Sequence, residues 1–511
     1  MFSVSYSAAL QGIKGSIVHV EADVSDGMPF FSMVGYLASE VKEAKERVRI
    51  AIKNQGFDLK PKRITINLSP ADLKKEGTAF DLPIAAAILA SSGYFPKENL
   101  EGIVLIGELN LDGKISGING VLPIIYTAFE NGFRKCIVPS CNAKEGAVIE
   151  GMEVIGVESL KEVVEYLAGV RNIIPVERQC FAEELKNVSE NTMLDFKDVI
   201  GQKTLIRALE IAAAGRHNVL MIGPPGSGKT MAAKRIPGIL PSLSLEESIE
   251  ISKIYSISGL LKEDGGLVTK RPFRSPHHTI TSTALVGGGI TPKPGEVSLS
   301  SGGVLFLDEL PEFNKGTLEI LRQPLEEKEV HISRLNGNYC YPADFMLVAA
   351  MNPCNCGYYP DRKRCNCSVH QVKRYLGRIS EPLLDRIDIC TEVMPVSVKM
   401  IQTEKEGKSS KEMKEQVEKA RKIQAERYKE ESILFNSHLN SNQIKKYCAL
   451  GKAEKDRMEQ IFQKYKLSTR AYHRILKVAR TIADLEGAEE ITTVHINEAF
   501  FYRSLDKKYW G

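Results

Sequence analysis

The sequence predicts an α/β protein of several domains whose last quarter is helical. Three observations carry that reading. The apolar run Val219 to Ile222 leads into Gly223-Pro224-Pro225-Gly226-Ser227-Gly228-Lys229-Thr230, a strand, a glycine-rich turn and a helix start. A second apolar run, Val304 to Leu307, ends on the adjacent carboxylates Asp308 and Glu309. Four consecutive apolar residues suit a strand covered on both faces. Beyond about residue 400 the chain becomes rich in lysine and glutamate, as solvated helix faces are.

At 511 residues the chain has room for roughly three domains. With 43% hydrophobic and 26% charged residues it matches ordinary soluble globular proteins. Its formal net charge is only +4, so any surface for nucleic acid must be local. No apolar run is long enough for a membrane span, and Met1 to Tyr6 do not open a signal peptide. Ten cysteines in a chain this long, four of them clustered, form no disulfide framework. Together with a nucleotide site they predict a reducing, cytoplasmic location.

Residues 1–180 read as one α/β unit. Ser16 to Val24 alternates as a strand does, and Ser39 can cap a helix whose apolar face is Val41, Ala44, Val48, Ala51 and Ile52. Ile64 to Leu68 predicts another strand and Leu82 to Leu89 an apolar helix. Residues 181–196 are polar and suit a tether. A nucleotide-binding core is expected over 197–397 and a helical lid over 398–511.

The chemistry of the core follows from its motifs. Glycines in G-x-x-x-x-G-K-T let consecutive backbone N–H groups face a triphosphate. Lys229 then neutralises the β- and γ-phosphates, and Thr230 offers its hydroxyl to Mg²⁺. Asp308 stands where ligands collect in open α/β sheets and would hold Mg²⁺, with Glu309 polarising the attacking water.

The run Ile66-Asn67-Leu68-Ser69-Pro70-Ala71-Asp72-Leu73-Lys74-Lys75-Glu76-Gly77, followed by Phe80-Asp81-Leu82-Pro83, resembles the first domain of the ComM/YifB family of magnesium-chelatase-like AAA+ proteins. The resemblance extends over essentially the whole chain. It implies a Lon-protease-like first domain (ribosomal S5 domain 2-like), a P-loop AAA+ three-layer α/β core and a C-terminal helical lid. In the Lon alignment the nucleophile position falls on Ala79 and the lysine near Leu122. Neither residue supports acyl transfer, so no protease is expected. One departure is Ser300-Ser301, where most relatives are expected to carry Ala-His.

The same resemblance assigns roles in the core. Val199, Ile200, Gly201 and Gln202 match the segment that folds over the adenine. Asn352, after the strand Phe345 to Ala350, matches the first sensor of the γ-phosphate. Ser380 to Asp388 resembles the segment that supplies an arginine finger to a neighbouring subunit, with Arg386 in that role and Arg378 as second choice. An ion pair with Asp385 or Asp388 is the plainer reading of Arg386. Arg470, in the first turn of a helix from Ser468, matches the second sensor and would meet the γ-phosphate on lid closure; a helix-capping or ion-pairing arginine is the alternative.

Three further stretches remain. Arg271-Pro272-Phe273-Arg274-Ser275-Pro276-His277-His278-Thr279, with Gly287 to Gly289, suits a mobile loop gripping a polyanion; a structural loop or a metal site are the other readings. Glu329 to Tyr341 alternates around Asn336-Gly337 and predicts a hairpin, matching the hairpin before sensor 1 in magnesium chelatase and MCM helicases. Cys354, Cys356, Cys365 and Cys367 offer four thiolates for a structural Zn²⁺. Reduced free thiols or a redox disulfide would use the same pairs.

The resemblance implies an ATP- and Mg²⁺-dependent homohexameric motor that drives branch migration of single-stranded or branched DNA during natural transformation. Two rival functions stand beside it: a protein remodeller or protease regulator, and a magnesium-chelatase ATPase subunit. No membrane partner is expected.

Overall fold

A computed structural model describes residues 1–59, 61–178, 194–261, 266–334, 337–395, 407–431 and 433–510. Most of the expected tether, the boundary near residue 398 and Asn336 lie outside the described residues.

The first domain is built on a seven-stranded sheet. Its strand order is Phe30–Val34, Arg63–Ser69, Lys14–Ser25, Phe2–Gln11, Ile103–Leu105, Lys135–Pro139, Glu153–Val157. The expected strands extend one or two residues beyond their apolar alternation at each end. Helix Ser39–Asn54 buries the five apolar positions read from the sequence, but its N-cap is Ala38, which offers no side-chain acceptor; Ser39 is the first helical residue. Helix Asp81–Ser91 is buried along its whole length, which explains why it lacks an amphipathic stripe. Its buried Asp81 is held by Arg47, whose Nε and Nη2 donate at 2.8 and 3.0 Å, as a buried charge requires.

The core carries a five-stranded parallel sheet in the order Phe273–Arg274, Val304–Leu307, Met346–Met351, Val219–Ile222, Ile389–Glu392. The strand that feeds the glycine-rich turn therefore lies between Met346–Met351 and Ile389–Glu392, paired in parallel with both. All residues of Val219–Ile222, Val304–Leu307 and Met346–Met351 are buried, as expected for parallel strands sandwiched by helices. All three strands end on the same edge, so their C-terminal residues converge.

The insertion between the two nucleotide motifs joins the core to the first domain. Its helix Leu245–Ile257 opens with a capping box between Ser244 and Glu247 and packs on helix Val121–Glu130. The Lys253 ammonium stands 3.2 Å from the Tyr126 ring centroid, and Gly120 N–H donates to Ser256 O at 3.1 Å. The Ser256 hydroxyl also donates to Glu145, a carboxyl whose burial pushes its pKa up. The expected hairpin forms from Glu329–Arg334 and Gly337–Pro342, with Gly337 paired to Arg334 in the second strand and not in the turn, and it touches the first domain: a Cβ on Gly12 would lie 2.7 Å from Cys340 O.

The lid comprises Ser410–Arg427, Ser441–Tyr447, Lys452–Tyr465, Thr469–Leu485 and Thr493–Trp510. Its first and fourth helices pack on Lys203–Gly215 of the core and share its apolar cluster. No helix among the described residues is long and apolar enough to cross a membrane.

Candidate nucleotide-binding and hydrolysis site

Gly223 leaves strand Val219–Ile222 with its N–H donating to Met351 O at 3.2 Å. A Cβ there would stand 2.2 Å from Val393 O, so only glycine fits the turn. Gly226 and Gly228 take φ of 73° and 92°, a region open to glycine at little cost. Helix Lys229–Ala233 then begins with its free N–H groups at the loop, as anion binding requires. Lys229 is buried, which lowers its pKa. Its Nζ donates to Gly223 O at 2.8 Å, Pro224 O at 2.9 Å and Asn352 Oδ1 at 3.2 Å. One ammonium thus ties the phosphate loop to the residue expected to sense the γ-phosphate.

Thr230 Oγ1 donates to Asp308 Oδ2 at 2.6 Å, although 78 residues separate them. This hydroxyl and carboxylate are hard oxygen donors on one edge of the sheet, a set that fits Mg²⁺. Bound there, Mg²⁺ would neutralise charge on the β- and γ-phosphates. Asp308 Oδ1 accepts from Glu309 N–H at 2.9 Å. Glu309 takes φ 52°, a sparsely populated region for a residue with a Cβ, and its exposed carboxylate turns toward the insertion. There His278 Nδ1 lies 3.4 Å from Glu309 Oε2. The His278 ring packs on His277 at 4.0 Å and on Phe313 at 6.4 Å between centroids.

Gln202 Nε2 donates to Met394 O at 2.5 Å, and the adjoining Val393 N–H donates to Ile222 O at 2.8 Å. Gln202 is therefore tied to the strand end beside the phosphate loop, while Val199 is buried and Gly201 takes φ 72°.

One expectation needs correction. The arginines of the 271–279 stretch do not form a free polyanion grip. Arg271 is buried against Glu247, with Nη2 at 3.0 Å, and donates to Gly302 O at 2.7 Å. Arg274 makes a two-pronged pair with Glu296, both bonds 2.6 Å. Both guanidiniums fasten the insertion to itself, which is the structural reading, while His278 reaches the site.

Arg470 makes no side-chain hydrogen bond or ion pair among the described residues. It is exposed in the first turn of the helix capped by Ser468. Further along, Arg474 donates to Ile387 O at 3.1 Å and Thr481 Oγ1 meets His217 Nε2 at 2.8 Å. Ile387 and His217 precede their strands, so this helix is anchored on the edge opposite the phosphate loop. A strand length, roughly 13 Å, separates the two edges, and closure of Arg470 onto its own chain's γ-phosphate does not follow.

Arg386 is only 8% exposed. Its Nε donates to Arg322 O at 3.2 Å, its Nη1 to Pro382 O at 2.5 Å, and Nη2 pairs with Glu326. Asp385 and Asp388, the partners expected from the sequence, instead meet Arg503 at 3.3 Å and His217 at 3.3 Å. Arg378 is exposed and pairs with Glu312 at 2.9 Å.

The four clustered cysteines come together. All four Sγ atoms lie within 4.8 Å of one another, with 3.3 Å between Cys354 and Cys356, 3.8 Å between Cys354 and Cys365, and 3.6 Å between Cys356 and Cys365. Four sulfurs bound to one tetrahedral Zn²⁺ stand about 3.8 Å apart, so the donor set fits. None of the four is in a disulfide. Two contacts here escaped the sequence. His278 against Glu309 joins residues far apart in the chain, and Gly357 packs so closely on Pro225 that a Cβ would meet Pro225 Cδ at 2.4 Å.

A phosphate loop on the strand next to one edge of the sheet, an acidic pair on the strand two places away and a polar residue, Asn352, after the strand between them define an AAA+ ATPase. Comparison with known proteins narrows the class. The family "Magnesium chelatase, subunit ChlI" matches residues 195–401, "Subunit ChlI of Mg-chelatase" residues 20–142, and the ChlI C-terminal family residues 407–503. The chain is 43% identical to competence protein ComM of Haemophilus influenzae, over 98% of its own length and 97% of the relative's. It is 42% identical to YifB of Escherichia coli, over 99% and 97%. A shorter stretch, 30% of the chain, is 30% identical to Lon protease 2 of Bacillus subtilis. The chain belongs to the ComM/YifB family of magnesium-chelatase-like AAA+ ATPases.

Proposed function

We propose that this chain is a DNA motor that couples ATP hydrolysis to branch migration, helping incoming single strands integrate during transformation or recombination. The observation that carries the reading is the linked set Lys229–Asn352 and Thr230–Asp308–Glu309. It sits in a chain that matches a competence protein end to end. Lys229 and the loop N–H groups hold the triphosphate, Val199 to Gln202 hold the base, and Glu309 orients the attacking water.

The motor works as a closed homohexamer. Arg386 and Arg470 both stand away from their own phosphate loop and serve a neighbour's nucleotide, Arg386 after release from Glu326. Head-to-tail contacts of this kind close into rings. The four cysteines hold one structural Zn²⁺ per chain, and the hairpin lines the pore.

A second reading, a protein remodeller, draws on the likeness of part of the chain to a Lon protease, although Ala79 and Leu122 leave no dyad for proteolysis. ATP turnover measured without DNA, with single-stranded or branched DNA, and with an unfolded protein separates the two. Stimulation by DNA that fades with salt supports the DNA motor; stimulation by unfolded protein alone replaces it with the remodeller.

A further inference from the structure

The cysteine loop carries a concentration of positive charge that the nucleotide site does not use. Between Asp361 and Arg374 stand five lysines and arginines and one histidine against the single acid Asp361, while the whole chain nets only +4. All six basic side chains are exposed. Two of them are set over aromatic rings of the same loop: Arg364 lies 4.1 Å from the Tyr358 centroid and Arg362 5.0 Å from that of Tyr359. Arg362 Nη1 also donates to Cys367 O at 3.1 Å. Guanidiniums stacked and tethered in this way lose little freedom on meeting a phosphate. Among the described residues, Lys363, Lys373 and Arg374 have no side-chain hydrogen bond or ion pair, so no acid neutralises them.

The knuckle is built to hold this surface firmly. Four sulfurs gather its base, and Ser368 and Gln371 form a capping box that starts helix Val369–Leu376, which carries Lys373 and Arg374 in its last turn. On the inner side, Gly357 rests on Pro225 of the phosphate loop. Tyr359 packs on Tyr509 of the last helix at 6.2 Å.

We propose that the cysteine knuckle and the helix after it form a DNA-backbone contact separate from the pore hairpin. Through Gly357 and Pro225, this contact reports DNA to the phosphate loop. The partner is a polyanion read by charge and ring stacking, without base-specific contacts: unpaired cations dominate the surface, and stacking tolerates any base. The inference rests on the DNA-motor reading above.

The test is binding of full-length protein, with a non-hydrolysable ATP analogue, to fluorescein-labelled oligodeoxythymidine across a salt series. Wild type is compared with the triple variant Lys363→Ala/Lys373→Ala/Arg374→Ala and with Lys363→Arg/Lys373→Arg. Each phosphate neutralised steepens the log–log salt dependence by about 0.7. The triple variant should therefore lose about 2 from that slope and bind roughly tenfold more weakly near physiological salt. It should keep its metal content and particle mass, and the arginine variant should bind as wild type does. DNA-stimulated ATP turnover should fall with DNA affinity. Unchanged slope and affinity in the triple variant, with wild type binding DNA, would overturn the knuckle contact alone. Loss of oligomer mass would reassign this face to a subunit contact. Failure of wild type to bind DNA at any salt would instead remove the DNA-motor reading on which the inference stands.

Discussion

Lys229 Nζ donates to Asn352 Oδ1 at 3.2 Å, bridging the phosphate loop and the end of the neighbouring strand. The same ammonium holds the carbonyls of Gly223 and Pro224, so an incoming γ-phosphate meets a cation already aimed by its neighbours. Lys229→Ala should abolish nucleotide binding, read by fluorescence of a labelled ATP analogue. Asn352→Ala should leave that affinity within a few-fold and cut turnover by about 10². Equal losses of affinity in both variants would show that Asn352 only holds the lysine.

The pairing of His278 with Glu309 gives a second expectation. Glu309→Gln should trap bound ATP with turnover reduced at least about 10²-fold. His278 takes up one oxygen of the same carboxylate at 3.4 Å, which competes with a water molecule. His278→Ala should raise turnover in the absence of DNA and narrow the gap to the DNA-stimulated rate. A fall in both rates together would make His278 a positioning residue for the water instead.

Motif chemistry made the nucleotide site legible because its residues are local in sequence: each strand ends on its own functional group, and the glycines of the loop have a single geometric reason. The paired cysteines and the hairpin were readable on the same ground. What stayed hidden depends on long-range packing. Arg271 and Arg274 looked free until Glu247 and Glu296 came to them from elsewhere in the insertion. Arg470 matched a motif, but only the anchoring of its helix at Ile387 and His217 shows on which edge of the sheet it stands. The helix over Leu82–Leu89 was recognisable by apolar content, whereas the failed cap at Ser39 was a one-residue shift that no periodicity resolves.

Arg386 and Arg378 are separable by experiment. Arg386 is nearly buried and holds two backbone carbonyls and Glu326, so Arg386→Ala should lower the melting temperature of the chain by several degrees. It should also spare nucleotide binding and remove turnover in assembled rings by about 10³. Arg378→Ala removes an exposed pair with Glu312 and a bond to Pro311 O at 3.3 Å and should change melting far less than Arg386→Ala. If Arg378→Ala alone abolishes turnover in intact rings, the finger is Arg378.

Asp344 is the group through which acid should reach the core. It lies two residues before strand Met346–Met351, where Arg216 Nη1 stands at 3.2 Å, His438 Nε2 of the lid at 3.3 Å and Lys328 Nζ beside the hairpin at 3.7 Å. Burial disfavours its charge, but Arg216, with His438 and Lys328, holds the carboxyl well below the usual carboxylate range. A folded-state pKa below the unfolded value near 3.9 means stability that is complete above that value and lost as pH falls through the folded one. Asp344→Asn should cost about 2–4 kcal/mol at neutral pH, less than orphaning a fully enclosed pair because the carboxylate keeps 29% exposure. It should also flatten the acid limb, so that melting curves of variant and wild type converge as pH drops below about 4. Thermal melts at stepped pH read both effects. Parallel acid limbs in the two proteins would mean that other carboxylates carry the acid sensitivity and that Asp344 serves only to pair Arg216.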